Sequence, residues 1–434
     1  MGRHSKSMHL KSRMAPPYKD PSLEVGGSSQ LHTMSSSKRD RCQSNSPFSS
    51  STPLPKFLTL PLPTLIHKFK TINAHEASLR SDQKAPFSTP LAQSRNRYPD
   101  IYPWAHNRIH LRSLPLPYIN ASPIDLGRPR EKFIATQGPL EVDGGLGHFW
   151  EMVWQEECEV VVMLTQAWED GREKCGAYYP ETVGEVKQLE GWGSVQCVGL
   201  TEELRTEVRE LKVLKDGGEE GEGAGEERVV WHFLFLGWPD HDIPVTPEDQ
   251  KALLELIRLS RFHIQERSDE EGGKVTPPRL VHCSAGVGRT GTFIALDHLL
   301  HELEDGGFDD LVVEANEYED QDEDEVEDED EDEYEYDDES DDDDAADPES
   351  QDADPVFETV KKLRDQRMYM VGKPRQYAFI YQVLRERWQA RQRGDVSPGI
   401  GEDSSNSAVS QTKKRRLVQD GSGYELYEDS EKES

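Results

Sequence analysis

The sequence predicts an α/β domain: a twisted mixed β-sheet flanked by helices, with disordered tails and a disordered acidic insert. Three observations predict it. Residues 160–165 form a continuous apolar run bounded by charge, as a strand buried on both faces requires. Residues 206–215 and 227–236 alternate apolar and polar side chains around a Gly/Glu stretch, which predicts a hairpin. Arg279–His282 passes through a Gly-rich loop at 283–288 into helical spacing from Arg289 to Leu303. Strand, glycine loop and helix in that order aim backbone N–H groups at an anion.

The remaining elements follow in order. Residues 61–150 are Pro-interrupted and aromatic-bearing, with a two-proline loop at Arg97–Trp104 and a short strand at Phe133–Thr136. Thr246 caps a helix whose first residue is Pro247, with apolar residues at Leu253, Leu254 and Ile257. Residues 356–367 and 374–388 read as two more helices.

Length alone, at 434 residues, suggests about three domains. Composition reduces that to one. Residues 1–60 are a Ser/Pro-rich tail, 304–354 hold 31 Asp or Glu and no Lys or Arg, and 391–434 are a polar tail. Residues 61–390 are then a single catalytic-sized domain with the acidic insert inside it. The net charge of −34 sits almost wholly in the insert, and the rest of the chain carries about −3. That balance excludes a strongly basic nucleic-acid binder. No apolar run approaches the roughly 18 residues of a membrane span. Arg3, Lys6, Lys11 and Arg13 precede the first acid, Asp20, which a tail explains better than a mitochondrial leader. Lys6 breaks the myristoylation pattern that Gly2 would open. Cys42, Cys158, Cys175, Cys197 and Cys283 are few, odd in number and not in metal-ligand spacing, which suits a reducing cytoplasmic or nuclear compartment.

The chemistry concentrates in HCSAGVGRTG, residues 282–291. Gly286 and Gly288 permit a tight loop. The N–H groups of Ser284, Ala285, Gly286, Val287, Gly288 and Arg289 can then converge on one point, where the following helix adds its positive end. Such a cradle fits a tetrahedral dianion. The same field favours a thiolate, so Cys283 is a nucleophile. Arg289 can grip two phosphate oxygens with its planar fork. Thr290 can donate to the leaving sulfur, and His282 can fix the loop behind the thiol. No metal or other cofactor is called for.

This loop resembles the signature loop of the protein tyrosine phosphatase family. RNRYPDI (95–101), PYINAS (117–122), FIATQGPL (133–140), VVMLT (161–165), KCGAYYP (174–180), WPDHDIP (238–244) and QRMYMVGKPRQYAFIY (366–381) resemble further family segments in the expected order. The likeness points to the phosphotyrosine-specific, non-receptor branch. It implies hydrolysis of phosphotyrosine in proteins through a cysteinyl-phosphate intermediate, in signalling. It also implies roles outside the loop. Asp240 matches the general acid on a mobile loop. Tyr98 matches the aromatic that deepens the pocket, and Asp100 the residue that holds the substrate backbone. Glu169 matches the acid that orients Arg289, with a solvated surface acid as the alternative. Lys174 matches the contact to the general acid, and Gln376 a water-positioning glutamine.

Two positions depart from the family pattern. Asp242 stands where glycine is usual, beside Asp240. Gly372 stands where the first of two glutamines is usual, so the first chemical step is better supported than the second. The rival readings are a phosphotyrosine-binding pseudoenzyme and an acidic adaptor for basic proteins. The insert is either a solvated loop, a tether for a basic partner or a mask over the enzyme's own cationic cleft. Tyr318, Tyr334 and Tyr336 lie among acids as kinase targets do. Lys413–Arg416 is a short basic cluster of the nuclear-import kind. Expected partners are phosphotyrosine-containing proteins, with no nucleic acid and no membrane.

Overall fold

The computed structural model describes residues 53–82, 90–112, 117–142, 144–216, 225–239, 242–270, 276–312, 353–395, 414–420 and 423–429. Its elements are α1 (Leu62–Asp82), α2 (Pro90–Ser94), β1 (Ala121–Asp125), β2 (Lys132–Thr136), α3 (Gly145–Gln155), β3 (Val160–Met163), β4 (Trp168–Glu169), β5 (Arg172–Glu173), β6 (Val186–Leu189), β7 (Gly193–Glu203), β8 (Thr206–Lys215) and β9 (Glu227–Phe235). There follow α4 (Pro247–Glu270), β10 (Arg279–His282), α5 (Gly288–Glu304), α6 (Pro355–Gln366), α7 (Pro374–Gln392), β11 (Lys414–Asp420) and β12 (Gly423–Asp429).

Among these residues a mixed ten-stranded sheet runs β1-β2-β10-β3-β9-β8-β7-β11-β12, with β6 also on β7. The four middle strands β2, β10, β3 and β9 are parallel. Their flanks are antiparallel. Alternation along each buried strand divides the core in two. Val160, Val162, Phe133, Ala135 and Val281 face the cluster built with α1, α4, α5, α6 and α7. Val161, Met163, Ile134 and Leu280 face the cluster built with α3 and the long hairpins. Both faces of the middle strands are therefore dry, which is why VVVM carries no polar residue.

The expected hairpin, strands and helices of the domain are present, and α4 starts at Pro247 as its cap predicts. Helix α1 and helix α3 went unread within residues 61–150. Four expected boundaries are affected. Residues 53–60 belong to the fold: Phe57 and Leu58 are buried, and Trp388 and Arg385 donate to the carbonyls of Pro53 and Leu58. The fold also claims both ends of the acidic stretch. Phe308 is buried against the Phe57 ring, and Asp309 pairs with Arg391. Asp354 is the buried N-cap of α6, accepting from Val356 and Phe357 N–H and from Tyr381. An acid there is an element terminus, not part of a charge run. Strands β11 and β12 pair antiparallel, and β11 also pairs with β7. The rest of the expected tails and insert lies outside the described residues, as do Tyr318, Tyr334 and Tyr336. No helix among the described residues is long and apolar enough to cross a membrane.

Candidate active site

Strand β10 ends at His282, and α5 begins at Gly288; the five residues between them make the loop. Its carbonyls are held outward one after another. Gly138 N–H donates to Ser284 O at 2.9 Å. Arg367 donates to Ala285 O at 3.3 Å and to Gly286 O at 2.8 Å. Val371 and Gly291 N–H donate to Val287 O at 3.2 and 2.8 Å. In a trans peptide the N–H points opposite to the C=O. Pinning four carbonyls outward therefore turns the N–H groups of Ala285, Gly286, Val287 and Gly288 inward. Gly286 N–H reaches Cys283 Sγ at 3.3 Å. The turn requires glycine there: φ is +71°, and a Cβ would lie 2.1 Å from Thr136 O.

Burial opposes charge on Cys283, but the Arg289 guanidinium, the Thr290 hydroxyl and the N–H groups of Thr290 and Val287 outweigh it. The thiol pKa therefore falls below its usual value. The Thr290 hydroxyl makes no hydrogen bond to any other group among the described residues. Cys158 and Cys175 show the contrast, since burial first, and neighbouring carboxylates after it, push both thiols well up. Arg289 is buried and gripped bidentately by Glu169, with both N···O distances 2.8 Å. It also donates to the carbonyls of Leu164 and Trp238. Glu169 sits on the β4–β5 hairpin, whose tight turn passes through Asp170 and Gly171 at positive φ.

Behind the thiol lies a buried polar chain. Burial pushes the His282 pKa down to about 4 and His232 well below its usual value, so both rings are neutral. His282 Nδ1 is 3.1 Å from Cys283 O, which can only accept, so Nδ1 carries the proton. His282 Nε2 then accepts from Tyr178 O–H at 2.7 Å. The Tyr178 oxygen in turn accepts from His232 Nε2–H at 2.7 Å. His232 Nδ1 is left as a bare acceptor without a partner among the described residues.

The other expected residues fall as follows. Tyr98 O–H meets Ser284 Oγ at 2.9 Å, and Ser284 Oγ donates to Lys174 O at 2.9 Å. The Tyr98 ring thus stands beside the loop. Asp100 is exposed on the following turn. Lys174 is buried, and it is its carbonyl oxygen that meets the loop. Gln376 is buried, its Oε1 has no partner among the described residues, and a Cβ added at Gly288 would lie 3.2 Å from that oxygen. Asp240 lies outside the described residues. The Asp242 carboxylate is held by Arg375 at 2.8 Å and by its own neighbour's N–H, Ile243, at 2.8 Å.

A protein-family model described as protein-tyrosine phosphatase matches residues 92–331 and 345–386. The chain belongs to the protein-tyrosine phosphatase family. Phosphatidylinositol phosphatase PTPRQ of Rattus norvegicus is 38% identical over 228 residues, 51% of this chain and 9% of that protein. Tyrosine-protein phosphatase non-receptor type 2 of Mus musculus is 36% identical over 222 residues, 50% of this chain and 49% of its own length. Tyrosine-protein phosphatase 1 of Dictyostelium discoideum is 33% identical over 273 residues, covering 57% and 48%. The chain thus spans half or less of these relatives' lengths.

Within this phosphatase domain several supporting residues escaped sequence reasoning. Arg367 is fully buried without a carboxylate partner among the described residues, and burial lowers its pKa to about 10. Tyr178, His232, Asn120, Glu76 and Arg364 also act from behind the loop. Their one sequence signal is a polar residue among apolar neighbours, which spacing alone does not connect to a loop far along the chain.

Proposed function

We propose that this chain hydrolyses phosphotyrosine in proteins through a cysteinyl-phosphate intermediate. One observation carries the reading: a thiol shifted toward thiolate, a fan of inward N–H groups and a clamped guanidinium coincide at Cys283. The Cys283 sulfur attacks phosphorus, and the bond from phosphorus to the tyrosyl oxygen breaks. Asp240 gives its proton to the departing phenolate. The loop N–H groups and Arg289 hold the equatorial oxygens throughout. Water then attacks phosphorus while Asp240 takes its proton. The sulfur–phosphorus bond breaks, Thr290 donates to the departing thiolate, and inorganic phosphate leaves. His282 fixes the loop, while Gln376 orients the water.

Tyr98 and Asp100 would recognise the substrate: the ring walls a pocket deep enough for phosphotyrosine to reach the sulfur where phosphoserine falls short. Lys174 would hold Asp240. A place in signalling, cytoplasmic with nuclear entry through residues 413–416, and a basic partner for the acidic insert belong to the same reading.

The test is turnover by the full chain of a phosphotyrosyl peptide, a phosphoseryl peptide and phosphoinositide micelles. Release of phosphate from the first alone, lost in Cys283→Ser with peptide binding retained, is the expected result. Binding without turnover would make the protein a phosphotyrosine reader. Preference for the micelles would move the substrate class to lipid.

A further inference from the structure

Helix α1 precedes the segments matched to the family, yet it reaches the far side of the active site. Its Glu76 is buried, as is Arg364 of α6, and the two are paired. Glu76 also accepts from Arg80, and it accepts from Tyr369 N–H at 2.9 Å. Arg364 spends its other donors on the same stretch of chain, on Met370 O and on Val371 O at 3.0 Å. One buried ion pair therefore holds the backbone at three successive residues.

That backbone is strained. Tyr369 and Val371 both have φ of +59°. For a β-branched residue this is an outlier, and such conformations persist only where the surroundings over-determine them. The segment leads straight to the signature loop. Val371 N–H holds Val287 O, and Gly291 allows the contact because a Cβ there would lie 2.4 Å from Val371 N. The next residue, Gly372, faces Gly288, and two residues later α7 begins and carries Gln376 over the same glycine.

We infer that Glu76 is a positioning residue for the second chemical step, acting through Arg364 on residues 369–371 to set where Gln376 stands. The inference rests on the hydrolytic reading above. Removing the carboxylate leaves Arg364 buried and unpaired and releases the strained turn. Cys283, Arg289 and Glu169 have their own supports and keep the first step.

The experiment is rapid-quench kinetics of the full chain on a phosphotyrosyl peptide, following phosphocysteine formation and decay, with folded fraction measured by circular dichroism. In Glu76→Gln, formation should stay within about threefold of wild type, and decay should slow about tenfold. Adding Tyr369→Gly should recover at least a third of the lost decay rate, because glycine adopts positive φ without strain. Should Glu76→Gln not fold, Arg80→Met tests the same clasp from its exposed side. Arg80 donates to Glu76 and to Tyr369 Oη at 2.7 Å. Its decay should slow about threefold with formation unchanged. Equal loss in both steps, or unchanged decay in a folded variant, would overturn the inference. A wild-type chain that forms no phosphocysteine would instead overturn the hydrolytic reading itself.

Discussion

Glu169 and Arg289 meet in two parallel hydrogen bonds, each 2.8 Å, although 120 residues separate them in the chain. The pair fixes the plane of the guanidinium before any phosphate arrives. Arg289 has only 4% of its side chain exposed, so the pair is shielded from screening by solvent.

Glu169→Gln keeps the shape and removes the charge. Hydrogen bonds to charged groups contribute about 1.5–3 kcal/mol. We expect kcat/KM to fall by about 10- to 100-fold on a phosphotyrosyl peptide, with weaker binding of the phosphopeptide to Cys283→Ser carrying the same change. Unaltered kinetics would mean a solvated surface acid after all.

Cys283 should be the thiol that alkylates first. Its thiolate is favoured by Arg289 and by Thr290 against the cost of burial. Inactivation by iodoacetate should follow a single titration whose midpoint lies below the ordinary thiol value of about 8.5. Arg289→Ala should move that midpoint up, since only Thr290 and the loop N–H groups then oppose burial. Cys158, Cys175 and Cys197 are raised by burial and should stay unlabelled in the folded protein. Peptide mass mapping after partial labelling decides the matter.

Acid should destabilise the domain through the buried histidines. In the folded state His282 titrates near 4 and His232 well below its usual value, because burial penalises their charged forms. Unfolded, each titrates near 6.5. Below that value the unfolded chain binds protons that the folded chain refuses, so stability is full above about pH 6.5 and falls as pH drops toward 4. Each histidine contributes a slope of up to about 1.4 kcal/mol per pH unit. Urea midpoints taken from pH 7 to 4.5 should show the decline. His232→Gln should flatten it by up to one proton's worth, whatever it costs at pH 7.

Asp240 and Asp242 should separate cleanly. The Asp242 carboxylate is committed to Arg375 and to Ile243 N–H. Asp242→Ala should cost turnover less than about threefold, as a half-exposed ion pair is worth little. Asp240→Ala should lower kcat by about 10²–10⁴-fold, the usual worth of a general acid, and leave phosphopeptide affinity nearly intact. Reversed effects would assign the wrong carboxylate.

Local signals announced the parts of this site that are local. The cap at Thr246-Pro247, the apolar run at 160–163 and the glycine loop all rest on neighbours in sequence, and each stands where its residues point. What supports the loop from behind is not local. Arg367, Tyr178 and His232 reach it across 81 to 104 residues or through a partner that does. No periodicity records that meeting. Helix α1 was illegible for a related reason: its sequence mixes His, Lys, Asn and Glu among its apolar residues, because one of its acids, Glu76, points inward to an arginine. Glu169 stood open in the sequence between a clamp and a solvated acid; its geometry is that of a clamp. Asp354 read as one more acid of a charge run, and only its place before Pro355 makes it a cap.

Gly372 bears on the step that clears the enzyme. Hydrolysis of the phosphocysteine needs a water held in line with phosphorus, and holding it needs an amide nearby. We expect Gln376 to supply one, its Oε1 being buried and unpartnered among the described residues. Gly372 supplies none where the family offers a second glutamine. The position itself has room: a Cβ there would lie 3.4 Å from Tyr369 O and 3.8 Å from Gly288 Cα, both ordinary contacts, and its backbone φ is not positive. A side chain is therefore absent by sequence, not excluded by packing. In wild type we expect a burst of phenol release followed by a slower steady rate, because the second step limits turnover. Gly372→Gln should shrink the burst and raise the steady rate. Gln376→Ala should enlarge the difference and nearly halt the second step. Stopped-flow release of para-nitrophenol from its phosphate ester measures both phases at once. A wild-type time course without a burst, left unchanged by Gly372→Gln, would mean that Gln376 alone already holds the water well enough for the first step to govern the rate.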